Sequence, residues 1–118
     1  MFRILISLPL YIFGCIIFII GGVLLLITSL ISRKLMFLYI PIFCHSLMFS
    51  MGVIIKKIGK FPKEGPFIIM SNHASFIDVF VVPPSIKGEY TAIVASKNFK
   101  IPLFSSILKK LKAVPIIR

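Results

Sequence analysis

Positions 4–32 carry no charged side chain. So long an apolar stretch has no polar stripe to turn toward water, and it predicts one long helix buried on all sides or held in lipid. At ~1.5 Å per residue, even 10–31 spans the ~30 Å hydrocarbon layer of a bilayer. Pro9 suits the first turn of such a helix, and Gly14, Gly21 and Gly22 let a second helix approach closely. The stretch is too long for a cleaved signal peptide and lacks a small-x-small exit. Arg33 and Lys34 end it. A second apolar run, 35–55, holds Pro41, His45, serines and Gly52. Either it returns as the other arm of a helical hairpin, or it lies in the interface as an amphipathic or broken helix.

The pattern changes after Lys56, Lys57, Lys60 and Lys63. This cluster belongs on the cytoplasmic side of a membrane by the positive-inside rule. Residues 61–66 are turn-rich. Residues 67–70 read as a short buried strand and 90–95 as a second strand. The apolar segment 78–82 stops at Pro83-Pro84. Asn98 is placed to cap a helix over 99–112, with Lys109, Lys110 and Lys112 in its last turn. Residues 113–117 read as a third strand. Strands alternating with helices predict an α/β layer with parallel pairing. The expected division is 1–57, membrane-anchoring helices, and 58–118, an α/β part. Some 60 residues are few for an independent core, so this part either packs on the helices or is incomplete.

Composition narrows the class. The chain is 58% hydrophobic with a mean hydropathy of +1.08, where soluble domains hold roughly 45–50% apolar residues. An ordinary soluble domain is excluded and membrane association is expected. The net charge of +11 suits anionic lipid headgroups or acidic substrates. Nucleic acid is not an expected partner, because no binding motif accompanies the charge. Cys15 and Cys44 lack ligand or disulfide spacing and are expected to pack in the interior. His45, in the same run as Cys44, is expected to be buried or interfacial. No metal site and no cofactor is expected.

Glu64, Asp78 and Glu89 are the only acidic residues. One of them closes Asn72-His73-Ala74-Ser75-Phe76-Ile77-Asp78. On a continuous helix five residues rotate by ~500°, leaving His73 and Asp78 about 140° apart. A turn after a strand, with Asp78 in the first turn of a following helix, brings them together. Asp78 then fixes the imidazole tautomer while the other ring nitrogen accepts a proton from a hydroxyl. The bland alternative is that both residues make only turn and cap hydrogen bonds. A Ser75 nucleophile is disfavoured without a Gly-x-Ser-x-Gly elbow.

Asn-His-x-x-x-x-Asp after Pro-Phe-Ile-Ile resembles the first motif of the glycerolipid acyltransferases, above all the 1-acyl-sn-glycerol-3-phosphate (lysophosphatidate) acyltransferase family. Ala95-Ser96-Lys97-Asn98-Phe99-Lys100-Ile101-Pro102-Leu103-Phe104 resembles the second block of that family, a lysine before a Phe-x-x-Pro-x-Phe helix. Lys112-Ala113-Val114-Pro115-Ile116-Ile117-Arg118 resembles its next strand, usually Gly-Ala-x-x-Ile-Asp-Arg. The resemblance runs from 56 to 118. It implies His73 as general base, Asp78 as its orienting partner, and Asn72 and Ser75 shaping the turn. It implies Arg118 and Lys97 on the acceptor phosphate, a role suited to charged donors. The implied reaction moves an acyl group from acyl-CoA or acyl carrier protein, as co-substrate, to lysophosphatidate, on the cytoplasmic face of a membrane. Lys112 stands where the family usually has Gly, and Ile117 where it has Asp. The family's Glu-Gly-Thr-Arg block is not in the chain, so the sequence is expected to be the amino-terminal half of such an enzyme. The competing expectations are a truncated, non-catalytic membrane protein of the same family and a hydrolase that uses water as acceptor.

Overall fold

Lack of charge over 4–32 gives a single helix, α1 (Phe2–Ile31). The computed structural model describes residues 2–72 and 75–117. Pro9 is inside α1 and not in its first turn, because the helix starts upstream at Phe2. Among the described residues α1 alone is long and apolar enough to cross a membrane, over Arg3–Ile31. Ile4, Leu8, Tyr11, Ile19 and Ile31 are each more than half exposed on it.

One extended residue, Ser32, separates α1 from α2 (Arg33–Ser50). Gly14 faces Ser50 and Gly21 faces Phe43, so the two helices run antiparallel as a hairpin. A Cβ on Gly21 would fall 2.4 Å from the Phe43 ring, whereas Gly22 looks into open space. Gly14 and Gly21, one heptad apart, are therefore the contact points, and Gly22 is not. Tyr39 adds a hydroxyl bond to the Gly21 carbonyl at 3.4 Å.

The second helix takes the hairpin arrangement of the two expected, and one of its faces is buried in protein. Met36, Ile40, Phe43, Cys44, Leu47 and Met48 recur at helical spacing, are buried, and form the main core cluster with Leu111. α2 is the central helix, covered by α1 on one side and by later segments on another. The pattern follows from spacing: residues three and four apart share a helix face. Pro41 stays inside α2, and the His45 Nδ1–H donates to its carbonyl at 2.8 Å. His45 is exposed, which removes the buried alternative; Cys15 is exposed as well, contrary to the interior packing expected of it, while Cys44 is buried. α2 ends where Gly52 takes φ +77°. Val53 N–H bonds Met48 O at 2.8 Å and Gly52 N–H bonds Phe49 O at 2.9 Å, the paired closure of a left-handed helix end.

The remainder contains α3 (Asp78–Val81), β1 (Ile93–Ala95), α4 (Phe104–Leu111) and β2 (Val114–Ile116). The strands pair in parallel, with Ile93 opposite Val114 and Ala95 opposite Ile116, as expected for an α/β layer. Both are shorter than the sequence suggested. The strand expected over 67–70 is absent: these residues are irregular, and Ile68 and Met70 are about nine-tenths exposed. Apolar residues alone do not make a strand, which needs a partner to bond its backbone, and β1 pairs with β2. The helix expected over 99–112 is broken, and Asn98 does not cap it. Ser96–Lys100 forms a tight 3-10 turn and α4 begins only at Phe104. Pro102 explains the break, since it pushes Ile101 into an extended conformation.

The segment after the hairpin packs on it. Phe80 of α3 lies edge-on to Phe18 at 6.4 Å and to Phe43 at 6.3 Å. Tyr90 lies edge-on to Phe37 at 5.0 Å. Near the bend of the hairpin, Arg33 pairs with Glu89 at 3.1 Å and stacks over Phe37.

Candidate active site

The turn that carries Asp78 is built by Ser75. The Ser75 N–H donates to Asp78 Oδ2 at 2.9 Å, and the Ile77 N–H donates to Ser75 Oγ at 3.3 Å. The two bonds knot the segment into a tight turn, with the Asp78 carboxylate reaching back to the Ser75 backbone and the Ser75 hydroxyl reaching forward to Ile77. The signal was present as Ser-x-x-Asp. Backbone bonds from Asp78 N–H to Ser75 O and from Val82 N–H to Asp78 O close the turn on either side. Asp78 thus occupies the first turn of α3, where the motif geometry requires it.

His73 and Arg118 lie outside the described residues. Asn72 and Ser75 are exposed on the approach to the turn, and Asp78 is half-buried. What fixes the turn in space is Phe80, two residues beyond Asp78. Its ring is clamped by Phe18, Phe43 and Phe76. The hairpin therefore supports the Asp78 turn directly, a role that sequence reasoning missed. Its signal was Phe76 and Phe80 at a spacing of four, which places two rings on one helix face.

Lys97 is exposed in the 3-10 turn that leaves the carboxyl end of β1. In α/β sheets ligands gather beyond the carboxyl ends of parallel strands, and Lys97 stands there. β1 and β2 end side by side at Ala95 and Ile116. Thr91 donates its hydroxyl to the Lys112 carbonyl, and Val114 N–H bonds Ala92 O at 2.8 Å, locking the entry to both strands.

Lys112 itself has φ +56°. Its N–H bonds Lys109 O at 3.1 Å and the following Ala113 N–H bonds Leu108 O at 3.0 Å. The end of α4 is thus closed like that of α2, by a left-handed residue, here with a Cβ. That is why glycine suits this position. Tyr90 takes no acid–base part near neutrality: burial, and secondarily Cys44 beside it, push its phenol up to about 12.

A family model described as Acyltransferase matches residues 52–118, more than half of the chain. No curated protein and no solved structure gives a significant match.

Proposed function

From the premise that this chain belongs to the acyltransferase family, we propose that it acylates the free hydroxyl of 1-acylglycerol-3-phosphate at a membrane surface. His73 takes the proton from that hydroxyl as its oxygen attacks the thioester carbonyl of acyl-CoA or acyl carrier protein. The tetrahedral adduct then expels the thiolate, which recovers the proton from the imidazolium. Asp78 holds the imidazole in the productive tautomer and stabilises its charged form. Lys97 and Arg118 hold the acceptor phosphate. In sequence each follows a paired strand end by two residues, Ala95 and Ile116.

The observation that carries the site is the Ser75–Asp78 turn. It sets a carboxylate in a fixed place five residues after His73, on a support buried against the hairpin. Membrane association rests on the uncovered apolar face of α1. Lys56, Lys57, Lys60 and Lys63 follow the hairpin and suit anionic headgroups on the cytoplasmic face.

The test is transfer of a labelled acyl chain to lysophosphatidate in detergent or vesicles, with acyl-CoA and acyl carrier protein as donors. Wild type is expected to produce phosphatidate and His73→Ala to lose it. Product formation that survives His73→Ala refutes the assigned base.

A further inference from the structure

The turn that leads into α4 holds a backbone conformation that L side chains seldom take. Leu103 has φ +66° and ψ −50°, and the Phe104 N–H donates to the Pro102 carbonyl at 2.7 Å. This is the strained form of the three-residue turn. Such strain persists where the surrounding structure requires it or where function uses it. Packing within the chain does not offset it: the Leu103 side chain is 67% exposed, and Ile101 and Phe104 on either side of the turn are exposed as well. The turn therefore holds three apolar side chains in water. It lies next to the surface already read as membrane-facing, because α4 packs against α1.

The charge around the turn has one sign. Residues 90–117 contain no Asp or Glu. Lys97 and Lys100 precede the turn, Lys109 and Lys110 stand about 8 Å along α4 from Phe104, and all four are exposed. An acidic protein would pair with the lysines and leave the apolar tip in water. An apolar protein surface would cover the tip and give the lysines no counter-charge. A leaflet with anionic headgroups supplies both, phosphates above hydrocarbon. We infer that the Ile101–Phe104 turn is a wedge that enters the leaflet holding α1, with its lysines on anionic headgroups. The inference rests on the membrane reading of α1 and adds a second point of insertion, on the α/β part. It brings Lys97, just upstream of the turn, to the headgroup layer, where an acceptor phosphate lies.

The chain has no tryptophan, so a single introduced indole reports depth. Leu103→Trp and Leu8→Trp are made separately in the full chain and reconstituted in vesicles of phosphatidylglycerol and acyl-brominated phosphatidylcholine. Both emissions are expected to be blue-shifted and quenched by bromine. Ile101→Trp, at an unstrained φ of −77°, reads the same depth should the strained position not accept an indole. Lys100→Gln with Lys109→Gln and Lys110→Gln is expected to lower quenching at 103 about twofold or more and leave quenching at 8 unchanged, because the wedge alone depends on these charges. Quenching at 8 without quenching at 101 or 103 overturns the wedge and keeps the α1 anchor. Equal quenching at 103 with and without the three lysines overturns the pairing with headgroups. No quenching at any of these positions rejects the membrane reading, and the wedge with it.

Discussion

Replacing Asp78 by Asn separates the two roles its geometry allows. Its Oδ2 accepts the Ser75 N–H at 2.9 Å, so the carboxylate has a structural task in the turn. An amide oxygen can accept the same bond, and the turn survives. Losing that bond altogether, as in Asp78→Ala, costs about 1 kcal/mol. Asp78→Asn costs less. The catalytic role behaves differently. A carboxylate that stabilises the imidazolium is worth roughly 10³–10⁴ in rate, or about 4–5 kcal/mol of barrier at 1.36 kcal/mol per decade. Lysophosphatidate acylation and thermal unfolding, measured on one preparation, resolve the two. The expected result is a near-native midpoint with activity lowered about a thousandfold or more. Asp78→Asn that keeps activity within about threefold of wild type refutes the orienting role and leaves Asp78 with its place in the turn alone.

Lys112→Gly relieves a left-handed residue that bears a Cβ at φ +56°, and is expected to stabilise the fold by about 1 kcal/mol in thermal or chemical unfolding. Gly21→Leu drives a side chain into the Phe43 ring and is expected to cost roughly 1–3 kcal/mol. Gly22→Leu, facing open space, is expected to leave the midpoint nearly unchanged. For Tyr90, the folded phenol is raised from 10.0 to about 12, so the fold favours the protonated form. Its stabilising contribution is complete below about pH 10 and is lost as pH rises toward 12. Tyrosinate absorbance is expected to show a late-titrating component that Tyr90→Phe removes.

The hairpin changes what the candidate site depends on. A helix pair that only anchored the chain would be replaceable by any other apolar segment. Here Phe18 and Phe43 hold Phe80, and Phe80 fixes the turn that carries Asp78. Apolar residues of α1 and α2 therefore belong to the positioning of the site, through packing and not through chemistry.

The sequence by itself determined the features with local causes. An uncharged run makes α1 whatever surrounds it. Alternating apolar segments and turns made β1 and β2 legible, and their parallel order followed from the helix between them. Asn72 to Asp78 was readable as a motif because its spacing needs a turn, and Asp78 does lie in the first turn of α3. Tertiary structure decided the rest. Whether 35–55 met lipid or protein depended on which face of α2 found α1 and α3, and the answer was a buried face. Residues 67–70 had the composition of a strand, but pairing is a property of two segments, and composition reports only one. The same limit holds for Phe80, whose ring meets Phe18 and Phe43 because the backbone brings three distant segments together, and no local pattern records that meeting.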